Sequence, residues 1–234
     1  MRTTTTPGPT GTLVLDFDGT VCLGDDPVRL YCEEVVRVLP QATGTRITAS
    51  LDGFLDGHAV AGLDESQDGY QAVQRLAAGA GVHPAQLDVA YRDSRRRFDA
   101  GEGRTWVPDG LLEELAVVRT RGVDLILVTN APMLGVRAFA DRTGLAEQLT
   151  GVVADARKPT GMAPILQRLL DRADHPPQRL MSVGDVWAND IEPALGLGCA
   201  AAYIDRFGTA PGGATATAPT IQGLYPVLLA WARG

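Results

Sequence analysis

The sequence predicts an α/β fold in which a mostly parallel sheet carries helices on both faces, together with a small all-helical second domain. Short apolar runs with β-branched residues alternate with longer helical patterns, which is typical of βα units. The runs are apolar throughout, as expected of strands that are covered on both faces. Residues 21–104 interrupt this alternation with helical patterns and no convincing strand, and therefore indicate an insertion.

The predicted strands share a short length and an almost continuous apolar character: 12–16, 123–129, a weak one at 152–154, 180–184 and 200–205. The helical patterns between them are 110–120, 133–143, 162–174 and 190–197. The Gly- and Ala-rich stretch 208–219 is expected to be a loop. A last helix in 221–233 is expected to be interrupted near Pro226, because proline lacks the backbone N–H that a helix interior needs.

The insertion divides the chain into two predicted domains. Residues 1–20 and 105–234 form the core that contains the sheet, with 1–11 as a flexible tail, and residues 21–104 form the helical domain. The helical domain contains three amphipathic patterns: 27–39, 65–81 and 84–98. Two of them begin with a proline, which is tolerated in the first turn of a helix.

Composition argues against several classes of function. With 234 residues and 45% hydrophobic content, the chain can bury a substantial core. Its formal net charge of -7 argues against a nucleic-acid or membrane-surface partner, since both need a basic surface. No apolar run approaches the roughly 20 residues that span a bilayer. The three cysteines are an odd and widely spaced set, which favours reduced thiols in a cytoplasmic protein.

Lysine and asparagine are unusually rare in this chain. The basic residues are 20 arginines and a single lysine, Lys158, and the only asparagines are Asn130 and Asn189. A bias toward arginine explains the depletion of lysine but not the position of the one that remains. The positions of these three residues are therefore informative.

Polar residues cluster at the carboxyl ends of the predicted strands, where open parallel sheets bind their ligands. They are Asp16 and Asp18 after the first strand, Thr129 and Asn130 at the end of the second, Lys158 beyond the third and Asp185 after the fourth. Neighbouring carboxylates raise each other's pKa unless a cation holds them ionised. Hard oxygen ligands suit Mg²⁺, and a carboxylate can also attack phosphorus to form an aspartyl-phosphate. The set therefore indicates phosphoryl-transfer chemistry.

Four segments resemble, in order, the motifs of the haloacid dehalogenase superfamily of phosphohydrolases. They are DFDGT at 16–20, VTNA around Thr129, RKP around Lys158 and GDVWAND at 184–190. The resemblance covers residues 12–206, and the insertion lies where that superfamily carries a helical cap domain. It implies a Rossmann-like core with the helical domain as its cap. One motif alone is a weak signal, but four in sequence at strand ends are specific.

The resemblance also implies a role for the residues at the first strand and at the basic motif. Asp16 would be the nucleophile and would contact Mg²⁺ through its side chain. Asp18 would protonate the leaving oxygen and then activate water, with its backbone carbonyl on the metal. Lys158 would pair with the charge of the phosphoryl group and with Asp16.

The remaining motif residues would bind the phosphoryl group or the metal. Thr129 and the backbone N–H of Asn130 would hold the transferring phosphoryl group. Asp185 would complete the metal site, and Asp190 would support it without binding the ion directly, or through water.

Each of these residues also has a purely structural interpretation. Asp18 with Gly19 is typical of a turn, and Asp185 or Asn189 could cap a helix that runs from residue 190. A single lysine is most often a solvated charge. The functional interpretation is favoured, because these independent structural roles would all have to fall at strand ends in one order.

The predicted function is that of a Mg²⁺-dependent phosphatase, which hydrolyses a phosphomonoester of a small metabolite through an aspartyl-phosphate on Asp16. A phosphomutase would use the same residues and return the phosphoryl group to the substrate. A dehalogenase would not need the metal-binding acids, and a phospho-accepting receiver would lack the insertion. A non-catalytic phosphate-binding protein is a further alternative. The sequence leaves open the substrate, the cap residues that select it and the oligomeric state.

Overall fold

The structure is a computed structural model that describes residues 8–173, 175–208 and 210–234. The chain divides into two compact units. The core unit contains the residues up to Val21 and from Val107 to Gly234, and the helical unit contains Cys22–Trp106. Of the predicted tail, residues 1–7 lie outside the described residues, and Gly11 is not part of a tail because it is the first, buried residue of a strand.

The core unit contains a six-stranded sheet in which all neighbouring strands are parallel. In chain order the strands are β1 (Gly11–Leu15), β2 (Val123–Val128), β3 (Gly151–Val153), β4 (Leu180–Gly184), β5 (Ala200–Ile204) and β6 (Ala216–Ala218). Their spatial order is β3-β2-β1-β4-β5-β6, with helices on both sides of the sheet. The predicted fold class is therefore confirmed.

The register of the three central strands aligns their carboxyl ends. Leu15 at the end of β1 lies opposite Leu127 of β2 and Val183 of β4. Every residue of β1 and β4 is buried, as expected of strands with a neighbour on each side and helices on both faces. Residues that follow β1, β2 and β4 consequently emerge at the same edge of the sheet.

Strand β6 corrects the prediction that 208–219 is a loop throughout. Ala216, Thr217 and Ala218 pair with β5 at the edge of the sheet, and the backbone N–H of Asp205 donates to the carbonyl of Ala218 at 2.8 Å. A three-residue Ala-Thr-Ala strand has no apolar pattern of its own. It forms because β5 offers an unpaired edge, which is a contact that local sequence does not encode.

The described residues of the core unit contain five α-helices, numbered α5 to α9 because four earlier helices lie in the helical unit. They are α5 (Leu111–Thr120), α6 (Met133–Thr143), α7 (Met162–Ala173), α8 (Glu192–Gly196) and α9 (Ile221–Trp231). The helix predicted for 190–197 begins earlier, as a π-helix over Trp187–Ile191 that leads into α8. The predicted interruption near Pro226 is wrong, since α9 continues through this residue. Burial of Ile221, Leu224 and Leu228 offsets the hydrogen bond that the proline removes.

The helical unit contains α1 (Asp26–Val36), α2 (Gln41–Leu55), α3 (Gly69–Gly79) and α4 (Pro84–Asp99). Helix α2 was not predicted. An antiparallel pair of backbone hydrogen bonds joins the two ends of the unit: Leu23 N–H to the Trp106 carbonyl at 2.8 Å, and Trp106 N–H to the Leu23 carbonyl at 3.0 Å. Among the described helices of the whole chain, none has the length and apolar character needed to cross a membrane.

Candidate active site

Three polar residues follow adjacent strands at the carboxyl edge of the sheet. Asp16 follows β1, and its backbone N–H continues the ladder by donating to the Val183 carbonyl at 2.9 Å. Thr129 follows β2, and its N–H donates to the Val153 carbonyl of β3 at 2.9 Å. Asp185 follows β4 directly. Because the strands are in register, these side chains occupy one edge, and Asp16 is buried there with 8% of its surface exposed.

The ammonium group of Lys158 joins two of the acids. Its Nζ donates to Oδ1 of Asp16 at 2.5 Å and to Oδ1 of Asp190 at 2.6 Å. The side chain of Lys158 is only 2% exposed, and that of Asp190 is 1% exposed. The only lysine of the chain is therefore not a solvated surface charge but a buried cation between two carboxylates.

The loop that carries Lys158 is fixed on the segment that follows β2. The carboxamide of Asn130 accepts from the backbone N–H of Lys158 at 2.6 Å and donates to the carbonyl of the same residue at 3.1 Å. Two further backbone bonds run alongside, from Ala156 N–H to the Thr129 carbonyl at 2.9 Å and from Asp155 N–H to the Ala131 carbonyl at 3.1 Å. The hydroxyl of Thr129 accepts from the N–H of Ala131 at 2.9 Å, which orients it in the same segment.

Two glycines make room for the two acids that follow the fourth strand. Gly19 has a φ of +78°, and a Cβ at this position would lie 2.0 Å from Oδ2 of Asp185. A Cβ at Gly184 would lie 2.3 Å from Cγ of Asp190. Contacts this short do not occur in proteins, so any side chain at either position would displace an acid from the site.

Three carboxylates form a cluster that suits a divalent cation. Asp16, Asp185 and Asp190 each offer an oxygen, and these oxygens all lie within 4.8 Å of one another. The ammonium group of Lys158 contacts two of them, and three ionised carboxylates carry more formal charge than one ammonium group. Hard oxygen donors with this excess charge fit Mg²⁺, which binds through few carboxylates and keeps several waters. Asp16 and Asp185 are the residues that would hold it.

Asp190 is less suited to direct contact with a metal, because both of its oxygens are already engaged. Oδ1 accepts from Lys158, and Oδ2 accepts from the backbone N–H of Val186 at 3.2 Å. Val186 immediately precedes the π-helix, and Asp190 is a buried residue within that helix. Val186 occupies the N-cap of this π-helix without a side-chain hydrogen bond, so the alternative in which Asp185 or Asn189 caps the helix start does not apply there.

Burial has the largest effect on the pKa of Asp16 when no metal ion is bound. It raises the pKa of Asp16 to about 7, while the Lys158 ammonium opposes the rise and the Asp190 carboxylate adds to it. Burial lowers the pKa of Lys158, but Asp16 and Asp190 together raise it above the ordinary value. Lys158 is therefore charged at neutral pH, and a cation near Asp16 would favour the ionised carboxylate.

The remaining predicted residue of the first motif, Asp18, lies in the turn after β1 and is partly buried. Thr20, in the same turn, donates from its hydroxyl to Oδ2 of Asp16 at 3.5 Å. The predicted residues Asp16, Lys158, Asp185 and Asp190 are brought together, and the segment of Thr129 and Asn130 contacts the Lys158 loop. The sequence interpretation did not include the bond from Asp190 to Lys158, the side chain of Asn130 or the two glycines. The sequence marked Asn130 by its rarity, by its place at a strand end and by the VTNA motif, but assigned a role only to its backbone N–H.

Trp187 at the start of the π-helix packs within the core unit. Its ring makes an edge-to-face contact with Tyr203 of β5 at a centroid distance of 5.4 Å. Such a pair adds roughly 0.5–1.5 kcal/mol to the stabilisation from buried area. The contact attaches the acid-bearing π-helix to the neighbouring strand.

One protein-family model matches most of the chain. Residues 10–198 match the family model described as haloacid dehalogenase-like hydrolase. No curated protein matches the chain.

Solved structures with different activities share the fold. The structure of YfnB of Bacillus subtilis, described as a haloacid dehalogenase-type (HAD) hydrolase bound to magnesium, is 15% identical to this chain and has a TM-score of 0.62. The match covers 93% of this chain and 98% of YfnB. A predicted phosphoglycolate phosphatase from Haemophilus somnus 129PT is 18% identical with a TM-score of 0.59, over 82% and 84%. An L-2-haloacid dehalogenase is 13% identical with a TM-score of 0.57, over 93% and 98%. At these identities the likeness shows the fold, and the reaction has to be argued from the site.

Proposed function

Since the chain belongs to the haloacid dehalogenase-like hydrolase family, whose model covers residues 10–198, we propose that it is a Mg²⁺-dependent phosphatase. The proposed substrate is a phosphomonoester of a small metabolite, and the proposed intermediate is an aspartyl-phosphate on Asp16. The proposal extends to a cytoplasmic setting, which the three free cysteines support. It includes neither nucleic acid nor a membrane as partner, because the chain carries a net charge of -7.

One observation carries this proposal. Lys158 is buried between Asp16 and Asp190, at 2.5 and 2.6 Å, in a site that also holds Asp185. A buried lysine beside a carboxylate nucleophile offers a fixed positive charge for an anionic group that approaches Asp16. Phosphoryl transfer needs this kind of placement, because positioning and charge stabilisation supply most of its catalysis.

In the first step Asp16 attacks phosphorus. One of its oxygens forms the new P–O bond as the bond to the alcohol oxygen of the substrate breaks, and Asp18 gives its proton to that leaving oxygen. Lys158 balances the charge of the phosphoryl oxygens, while the Thr129 hydroxyl and the Asn130 N–H hold them in line. Mg²⁺ bound by the side chains of Asp16 and Asp185 and by the backbone carbonyl of Asp18 would screen the charge between the carboxylate and the phosphate.

In the second step water releases the phosphate. Asp18, now ionised, takes a proton from a water molecule that attacks phosphorus, and the P–O bond to Asp16 breaks. Inorganic phosphate leaves, Asp16 is again a carboxylate, and Asp18 is again protonated. Two carboxyl groups with these separate tasks account for turnover with no other co-reactant than water.

The alternatives differ in their products. A phosphomutase would return the phosphoryl group to its substrate and yield an isomer with little free phosphate. A dehalogenase would use the Asp16 carboxylate as nucleophile but would have no need for the acids that suit a cation. A non-catalytic phosphate-binding protein would retain phosphate without turnover.

Free-phosphate release distinguishes these possibilities. We expect the purified chain to hydrolyse an aryl phosphate in the presence of Mg²⁺, to stop in EDTA, and to lose turnover in Asp16→Asn. A panel of phosphorylated metabolites then identifies the substrate class. Asp141→Asn, an exposed acid on α6, is the matched control and should retain activity. Undiminished turnover in Asp16→Asn would overturn the proposed mechanism.

A further inference from the structure

Lys158 is held at its backbone and at its ammonium group by two different side chains. Asn130 contacts the backbone, and Asp190 contacts the ammonium group. The resemblance assigns Asn130 only a backbone N–H and Asp190 only a place near the metal. These two side-chain contacts therefore need a function of their own.

The carboxamide of Asn130 matches the peptide groups of Lys158. Its oxygen accepts from the Lys158 N–H at 2.6 Å, and its nitrogen donates to the Lys158 carbonyl at 3.1 Å. An amide can make both bonds because it carries a donor and an acceptor side by side. Aspartate can only accept, and alanine can make neither bond.

The loop that Asn130 holds has an unfavourable backbone. Asp155 and Arg157 have φ angles of +49° and +55°, in the left-handed region that residues other than glycine rarely adopt. Such conformations persist when their surroundings impose them. Here the surrounding bonds come from the segment of Thr129, Asn130 and Ala131, so that segment determines where the Lys158 side chain starts.

Asp190 holds the other end of the same side chain. It is 1% exposed, and its two oxygens accept from Lys158 Nζ and from the Val186 N–H. Asp16 also contacts Nζ, but in the proposed reaction its carboxylate becomes an acyl phosphate and loses its charge. Asp190 takes no part in that bond, so it remains as a counter-charge for Lys158 throughout the cycle.

We propose that Asn130, through its carboxamide, and Asp190, through its carboxylate, are positioning residues that hold Lys158 beside Asp16. This inference rests on the proposed function, in which Lys158 balances the charge of the phosphoryl group. It adds that Lys158 stays in place when Asp16 is phosphorylated, because its position is set by groups that do not react.

The single lysine of the chain allows a direct test that does not need activity. An amine-acylating reagent has two amines to react with, Lys158 and the N-terminal α-amino group, and peptide mass spectrometry separates them. The α-amino group serves as an internal standard. Lys158 should react slowly in the wild type, because its side chain is 2% exposed and bonded to two carboxylates.

We expect acylation of Lys158 to become about ten- to hundredfold faster in Asn130→Ala and in Asp190→Asn. This range corresponds to the free energy lost when a hydrogen bond to a charged or buried group is removed. Gln167→Ala removes an exposed carboxamide from α7 and should leave the rate unchanged. Asn130→Asp keeps the size of the side chain and its acceptor for the Lys158 N–H, so it provides a second variant if the alanine variant does not fold. Acylation at the wild-type rate in folded variants at both positions would overturn the inference.

Kinetics separate a positioning role from a metal-binding role. We expect Asp190→Asn to lower kcat while KM and the Mg²⁺ concentration for half-activation stay close to the wild-type values. Asp190→Glu keeps the charge and should recover part of the lost kcat. Asp185→Asn, by contrast, should raise the Mg²⁺ requirement. An equal rise in Asp190→Asn would identify Asp190 as a metal ligand and refute its positioning role.

The two readouts keep this inference distinct from the proposed function. If the wild type hydrolyses no phosphomonoester, the proposed function fails while the acylation rates still test how Lys158 is held. If the wild type is a phosphatase but the acylation rates do not change, only the inference about Asn130 and Asp190 fails.

Discussion

Removal of the buried ammonium group is the most informative test of the site. In Lys158→Met a side chain of similar length and no charge replaces the lysine. Asp16 and Asp190 stay behind, and their side chains are 10% and 1% exposed. Both lose the ammonium group of Lys158, so the metal-free protein must either keep two buried carboxylates without this cation or protonate them.

The expected loss of stability is large for a single substitution. Removing one partner from a buried ion pair costs about 3–5 kcal/mol, since the remaining charge is left without compensation. Each kcal/mol lowers the melting temperature of a protein of this size by about 2–4 °C. The melting temperature of the metal-free protein near pH 8 should therefore fall by about 6–20 °C.

The loss should also depend on pH, and the sign follows from proton binding. Without Lys158, whose charge opposes the effect of burial, the pKa of the Asp16 carboxyl rises further above its value in the unfolded chain. The folded state then binds more protons than the unfolded state, and its stability falls as pH rises. Asp16 has a pKa of about 7 even in the wild type, so near pH 5 its carboxyl is protonated in both proteins. The destabilisation should consequently be smaller near pH 5 than near pH 8.

Scanning calorimetry in EDTA at the two pH values measures this effect. Arg168→Met removes an exposed charge from α7 and is the matched control, with an expected change within about 0.5 kcal/mol. A fall of less than about 2 °C near pH 8, or an equal fall at both pH values, would refute the reasoning that burial and charge compensation dominate this site.

Three further predictions follow from the same geometry. Mg²⁺ should raise the melting temperature more near pH 8 than near pH 5.5, because burial raises the pKa of Asp16 to about 7 and at lower pH the cation must displace a proton; an equal rise would contradict this. Ser182 is fully buried in β4 and its hydroxyl has no hydrogen-bond partner among the described residues, so Ser182→Ala should add about 1 kcal/mol to the free energy of unfolding in urea. A loss of stability there would show that the hydroxyl is satisfied. Gly184→Ala would place a Cβ 2.3 Å from Cγ of Asp190, and should cost about 1–3 kcal/mol of stability in urea and lower kcat. Gly196→Ala on α8, where nothing lies within 4 Å of the added carbon, is its control, and equal effects of the two substitutions would rule out the clash.

The sequence could predict the ends of the central strands because two requirements coincide there. The run 13–15 is apolar because the strand is buried on both faces. It ends at Asp16, the first acid of the candidate site. The change from apolar to acidic residues therefore marks both the end of the strand and the site. Lys158 was predictable for a different reason, since it is the single lysine of a chain with 20 arginines and lies in RKP, one of the four motif segments.

Elements that depend on distant contacts were not predictable in the same way. Helix α2 contains two glycines and several threonines, which have low helix propensity, and it is stabilised by burial of Ile47, Leu51 and Phe54 on one face. Strand β6 depends on the free edge of β5. The bond from Asp190 to Lys158 joins residues 32 positions apart through a π-helix, whose wider turn has no local sequence signature.

The hydrogen bonds between Leu23 and Trp106 have a consequence for how this protein could change over evolution. They hold the two ends of the helical unit beside each other, so the 85-residue excursion between the first strand and the rest of the sheet begins and ends at almost one point. A segment with adjacent ends can be replaced by another of different length without altering the strand that precedes it or the helix that follows. The helical unit is thus exchangeable in principle for a segment of another length, while the residues assigned to the proposed chemistry all belong to the core unit.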